Sequence, residues 1–152
     1  MTELMRHYIM VIEDARDERD AAQLILEIAG YQVTAVANGE QALSYMRAAD
    51  PPPCMILLDL MMHGTNGWEF RTEQLRDARL ASIPVVVCSG DGRLTEKALA
   101  LGIVGQLMKP IDPTALLRLV GTHCHLHRRL DATLPTTIDG NEGAASVTNR
   151  VG

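Results

Sequence analysis

Short apolar runs recur along the chain, and each one ends on a polar or charged residue. Tyr8 to Ile12 precedes Glu13-Asp14, Cys54 to Leu58 precedes Asp59, and Val85 to Cys88 precedes Ser89. A weaker run, Gln106 to Met108, precedes Lys109. The stretches between them change period. Ala22, Ile25, Leu26 and Ala29 form a stripe at helical spacing, and Gly30 stands where a glycine commonly closes a helix. Tyr31 to Ala37 alternates apolar and polar residues as a strand does. Asn38, with Gln41 three residues on, signals a helix start, and that helix runs to about Ala49. Pro51-Pro52-Pro53 stops it and delivers the chain to the third strand. Gly64 and Gly67 bracket a turn before a helix from Trp68 to about Arg79. Pro84 opens the fourth strand, where a missing N–H is tolerated. A short helix from about Leu94 to Leu101 ends at Gly102. Asp112 as cap and Pro113 in the first helical position start a last helix, to about Leu130.

Apolar runs of four to six residues alternating with helices read as buried strands of a parallel sheet, giving an α/β domain of the (βα)₅ type. In such sheets ligands bind beyond the carboxyl ends of the strands. The pattern therefore sets three carboxylates (Glu13, Asp14, Asp59), the Ser89 hydroxyl and the Lys109 ammonium along one rim. Carboxylates gathered at one place repel and raise one another's pKa unless a cation sits among them. Mg²⁺ suits them, as a hard cation that takes oxygen ligands in an octahedron. A phosphoryl group on Asp59 would add oxygens to that shell. Lys109 offers a point charge to one such oxygen, and Ser89 a hydroxyl donor to another. Phosphoryl transfer asks for this positioning and neutralisation more than for covalent help.

Length and charge narrow the field. The 152 residues allow one domain with a proper core. A net charge of −5 without a basic patch argues against nucleic acid as partner. No apolar run nears the roughly 18 residues that span a bilayer, and the early acids at Glu13 and Asp14 do not fit a signal peptide. The expected location is cytoplasmic. Cys54, Cys88 and Cys124 lie far apart in the sequence and read as small apolar residues of a reducing compartment, not as a disulfide framework. From Asp131 onward the periodic pattern is lost, and residues 131–152 read as a disordered tail.

In order and at their spacing, the acidic pair in IMVIED, the acceptor in ILLDLMMHGTNG, the hydroxyl in VVVCSG and the lysine-proline in LMKP form one signature. Over residues 7–130 the chain resembles the receiver domain of two-component response regulators, and a stand-alone receiver is expected. The resemblance implies a flavodoxin-like three-layer fold with strand order 2-1-3-4-5. It implies that Asp59 accepts a phosphoryl group from a phosphohistidine on a kinase or phosphotransfer protein. Asp14, Asp59 and the Met61 backbone carbonyl would hold Mg²⁺, with Glu13 acting mainly through water. The Lys109-Pro110 peptide would be cis. A downstream protein would dock on the face made by the fourth helix, fifth strand and fifth helix of a monomer or weak dimer. Such a protein is a phosphorylated switch rather than an enzyme, catalysing only its own phosphorylation and dephosphorylation.

The relay residues depart from the family pattern. His63 stands where proline is common, Gln106 where the aromatic switch lies, and Ile111 where phenylalanine follows the lysine-proline pair. With no ring at 106, a signal is expected to pass through Gly90 to Arg93 and the fourth helix. These departures also motivate a rival, a receiver-fold interaction module that works without phosphorylation. A flavin carrier of similar fold needs a hydroxyl- and glycine-rich loop after the first strand. This chain has Glu13-Asp14-Ala15-Arg16 there and only 3% aromatic residues.

Each feature also has a plainer reading. Glu13 and Asp14 could belong to a solvated acidic first turn with Asp17, Glu18 and Asp20. Ser89 and Gly90 could be turn residues. His123, Cys124, His125 and His127 suggest a metal, but on a helix they cannot converge. Met46, Met61, Met62 and Met108 read as gap-filling core or rim residues, and Trp68 as packing for the third helix.

Overall fold

The computed structural model describes residues 7–62, 66–90 and 100–124. Its elements are β1 (Ile9–Ile12), α1 (Arg16–Ile28), β2 (Val33–Val36), α2 (Gly39–Ala48), β3 (Met55–Asp59), α3 (Gly67–Arg76), β4 (Val85–Ser89), β5 (Gly105–Met108) and α4 (Pro113–His123). Residues 91–99, with the loop and most of the helix expected from Leu94 to Leu101, and residues 125–152, with the expected end of the last helix at Leu130 and the tail from Asp131, lie outside the described residues. The helix after β5 is therefore α4 in this numbering.

All strand pairs are parallel, in the order β2-β1-β3-β4-β5. The expected topology is observed. Alternate residues of the buried strands face opposite layers. Met10, Ile12, Ile56, Leu58, Val85 and Val87 pack with Leu43, Met46 and Phe70 from α2 and α3. Ile9, Val11, Met55, Leu57 and Val86 pack with Ala22, Leu26, Leu116 and Val120 from α1 and α4. Both faces of the sheet are covered, which is why its strands are continuous apolar runs.

The helix boundaries follow from caps. Asn38 accepts the Gln41 N–H at 2.8 Å, and Gln41 reaches back to accept the Ala37 N–H at 3.0 Å. Asn66 and Glu69 form a reciprocal capping box at the start of α3. Asp112 accepts the Ala115 N–H at 3.1 Å beside Pro113. Gly30 adopts φ 100°, the left-handed conformation that closes α1. The third helix ends at Arg76 instead of Arg79, because Asp77 leaves helical geometry and takes the Arg79 N–H on its own carboxylate. Arg79 then donates to the carbonyls of Met46, at 2.6 Å, and Ala49, satisfying groups at the end of α2.

The cysteine expectation is overturned. Cys54, just before β3, and Cys124, just after α4, form a disulfide across 70 residues of sequence. The parallel topology brings both to the edge where strands begin, with Cα atoms 5.5 Å apart, inside the range a disulfide needs. Cys88 remains a free, buried thiol. Met46 and Met62 are buried as expected, and Trp68 packs against the core, whereas Met61 and Met108 are exposed. Among the described residues no helix is long and apolar enough to cross a membrane.

Candidate functional site

Register assembles the site. Ile12 lies beside Leu58, so the next residues, Glu13 and Asp59, leave β1 and β3 side by side. Asp59 is level with Cys88, which puts Ser89 one step further, beside Met108. The Lys109 N–H donates to the Ser89 carbonyl at 2.9 Å and fixes where that chain turns off the sheet. The Lys109-Pro110 peptide that follows is cis.

The charged groups converge as the residue pattern suggested. Lys109 Nζ lies 2.9 Å from Glu13 Oε1 and 3.3 Å from Asp59 Oδ2. Glu13, Asp14 and Asp59 each offer an oxygen within 4.8 Å of the others. Glu13, Asp59 and Ser89 are buried, and Asp14 is half-buried. Asp59 Oδ1 accepts the Met61 N–H at 3.1 Å, an internal turn that orients the carboxylate. Glu13 Oε2 accepts the Ala15 N–H at 3.1 Å, and the Glu13 carbonyl accepts from Arg19 at 3.0 Å. This donor set, all carboxylate oxygen and partly open to solvent, fits a hard divalent cation.

Burial pushes the Glu13 carboxyl up to about 7, a rise that the Lys109 hydrogen bond opposes and neighbouring Asp59 reinforces. Burial also works against the Lys109 charge. Hydrogen bonds to Glu13 and Glu18, with the Asp59 charge, outweigh it and hold the ammonium above its ordinary range. Among the described residues, Glu13, Glu18 and Asp59 share the one Lys109 ammonium, which concentrates negative charge at the rim. That is the electrostatic state a divalent cation relieves.

Two contributors were not singled out from the sequence. Glu18 Oε1 lies 2.5 Å from Lys109 Nζ, although Glu18 read as part of a solvated helix face. Nothing in the sequence sets it apart, because only the position of Lys109 against the first turn of α1 gives it a partner. Gly67 allows the first turn of α3 to lie directly on the end of β3. A Cβ there would meet the Leu60 Cα at 2.7 Å and the Asp59 carbonyl at 2.9 Å. Its N–H donates to the Leu60 carbonyl at 3.2 Å. His63 and Gly64, in the loop between, lie outside the described residues.

The model of the response regulator receiver domain matches residues 9–121. The chain is similar to the protein PilH of Pseudomonas aeruginosa, 28% identical over 114 residues that cover 74% of this chain and 93% of PilH. It is 27% identical over 143 residues to the two-component response regulator ARR21 of Arabidopsis thaliana, covering 94% of this chain. The chain spans only 23% of ARR21. A crystal structure of a response regulator receiver protein from Pseudomonas putida superposes with a TM-score of 0.70 at 28% identity, covering 77% of this chain and 97% of that one.

Proposed function

Given that this chain belongs to the response regulator receiver family, we propose that it is a signalling switch whose Asp59 accepts a phosphoryl group from a phosphohistidine. The donor is a histidine kinase or a histidine phosphotransfer protein. One observation carries the reading: a buried Asp59 carboxylate, 3.3 Å from the Lys109 ammonium, shares the sheet edge with Glu13 and Asp14.

In the transfer, an Asp59 oxygen attacks phosphorus while the bond from phosphorus to the donor imidazole nitrogen breaks. The electron pair of that bond returns to the ring, and Asp59 becomes an acyl phosphate. Asp59 is buried and held by the Met61 amide, so it approaches in one orientation. Lys109 neutralises an equatorial oxygen, and the Ser89 hydroxyl donates to another as the site adjusts. Glu13, Asp14 and Asp59, with the Met61 carbonyl, are the residues that would hold Mg²⁺. When bound, the ion offsets charge on the carboxylates and phosphoryl oxygens. The new group adds about −1.5 to −2 charges, drawing Ser89 and Lys109 towards it. The shift is read by a downstream protein on the surface around β5 and α4, where Val104 and Met108 are exposed. The domain extends over residues 7–130.

Intact-mass measurement after incubation with acetyl phosphate and Mg²⁺ tests the reading. One phosphoryl adduct is expected, absent from Asp59→Asn and suppressed by excess EDTA. An adduct of equal yield in either control would refute Asp59 as acceptor. The phosphorylation-independent alternative predicts no adduct in the wild type.

A further inference from the structure

We propose that Glu18 is a positioning residue that competes with the acceptor site for the Lys109 ammonium, and that phosphorylation of Asp59 displaces it. The inference rests on Asp59 being the phosphoacceptor. An ammonium has three N–H donors and no acceptor. Here three carboxylates surround it, Glu18 at 2.5 Å, Glu13 at 2.9 Å and Asp59 at 3.3 Å. The donors of Lys109 are committed, so a phosphoryl oxygen arriving on Asp59 gains one only if an existing partner lets go.

The three partners differ in how easily they are released. Glu13 and Asp59 are buried, and each also accepts a backbone N–H, from Ala15 and Met61. The Glu18 side chain is 52% exposed, so water can replace its lysine contact. It projects from the first turn of α1 beside a cavity of about 500 Å³ lined in part by Ala22, Ile25, Pro110 and Ile111, which leaves room to swing aside. Glu18 is thus the exchangeable ligand of Lys109. While bound, it holds the ammonium on the α1 side of the rim and opposes the phosphorylated arrangement.

The test measures beryllofluoride affinity of the full chain at saturating Mg²⁺, for wild type, Glu18→Gln, Glu18→Leu and Asp17→Asn. Asp17 makes no ion pair among the described residues, so its change removes one charge from the same turn without touching Lys109. Glu18→Gln should bind about two- to fivefold more tightly, the scale of a half-exposed ion pair. Glu18→Leu should gain at least as much, and Asp17→Asn should stay near wild type. The advantage of Glu18→Gln should shrink as ionic strength rises. Without ligand, the Lys109 ammonium protons should exchange faster in Glu18→Gln, a direct readout of the lost contact.

Unchanged or weaker binding in both Glu18 variants would overturn the competition while leaving Asp59 as acceptor. An equal gain in Asp17→Asn would overturn it too, by showing a general field effect. If wild type takes up no beryllofluoride, the acceptor reading itself falls, and the competition with it.

Discussion

The two edges of the sheet are built on opposite principles. Where the strands end, buried Glu13, Asp59 and Ser89 crowd around Lys109, and three carboxylates share its ammonium among the described residues. Where the strands begin, the contacts are fasteners. The Cys54–Cys124 disulfide ties β3 to α4, Arg79 holds the last carbonyls of α2, and Tyr8 meets Tyr45 edge-on at 5.8 Å. One edge is poised to change its charge and the other resists movement. Changes at the strand-start edge should therefore alter stability and spare acceptor chemistry. Changes at the strand-end edge should alter both.

The largest effect on stability is expected at the fastened edge. A disulfide closing a loop of 70 residues stabilises by about 4 kcal/mol in the chain-entropy account. Cys124→Ala, or reduction by a dithiol, should lower the unfolding free energy by roughly that amount in denaturant titrations. The yield of phosphoryl adduct on the folded protein should not change. A large loss of adduct with folding intact would show that the two edges are coupled.

At the other edge, Lys109→Ala removes the cation shared by Glu13, Glu18 and Asp59. Leaving buried carboxylates without their partner should cost about 3 kcal/mol in metal-free buffer, along with most of the acceptor activity. A gain in stability would mean that the carboxylates are better solvated than their burial indicates. Gly67→Ala is milder, because the intruding Cβ meets the Asp59-Leu60 backbone and α3 must shift. About 2 kcal/mol is expected from overpacking of this kind, with slower formation of the phosphoryl adduct because the displaced strand end carries Asp59.

Legibility divides along the same line. The rim residues each end an apolar run, and parallel pairing places strand ends together, so Glu13, Asp14, Asp59, Ser89 and Lys109 could be read as a group. Caps were equally plain where a short polar side chain serves its own helix, as at Asn38 and Asp112. The fasteners were not legible. Cys54 and Cys124 are separated by half the chain and meet only because β3 and α4 begin and end at the same edge. Glu18 belongs by sequence to a solvated acidic turn, and only the position of Lys109 against that turn gives it a partner. Gly67 read as a turn glycine, since the tilt that presses α3 onto Leu60 is a tertiary property. The end of α3 was missed because Asp77 satisfies the Arg79 amide locally and wins over helix continuation.

The smallest expected effect compares the edges by titration. Cys88 sits at the strand-end edge, level with Asp59, and burial pushes its thiol from 9.0 up to about 12. Tyr8 lies at the strand-start edge, where burial, aided by Tyr45, raises its phenol from 10.0 to about 12. The Tyr8 hydroxyl has no hydrogen-bond partner among the described residues. Both groups hold their protons longer in the folded chain than in the unfolded one. Their contributions are complete below the unfolded pKa and are lost as pH rises towards the folded value. Stability should thus begin to fall near pH 9 through Cys88 and fall faster above pH 10 as Tyr8 joins. One pH unit above its unfolded pKa, the thiol alone accounts for on the order of 1.4 kcal/mol. Denaturant titrations across this range should show Cys88→Ala flattening the first part of the decline and Tyr8→Phe the second. If Cys88→Ala leaves the slope between pH 9 and 10 unchanged, the thiol ionises freely. The strand-end edge would then be wetter than its packing implies, and the contrast between a charged, closed rim and a fastened base would fail at its first premise.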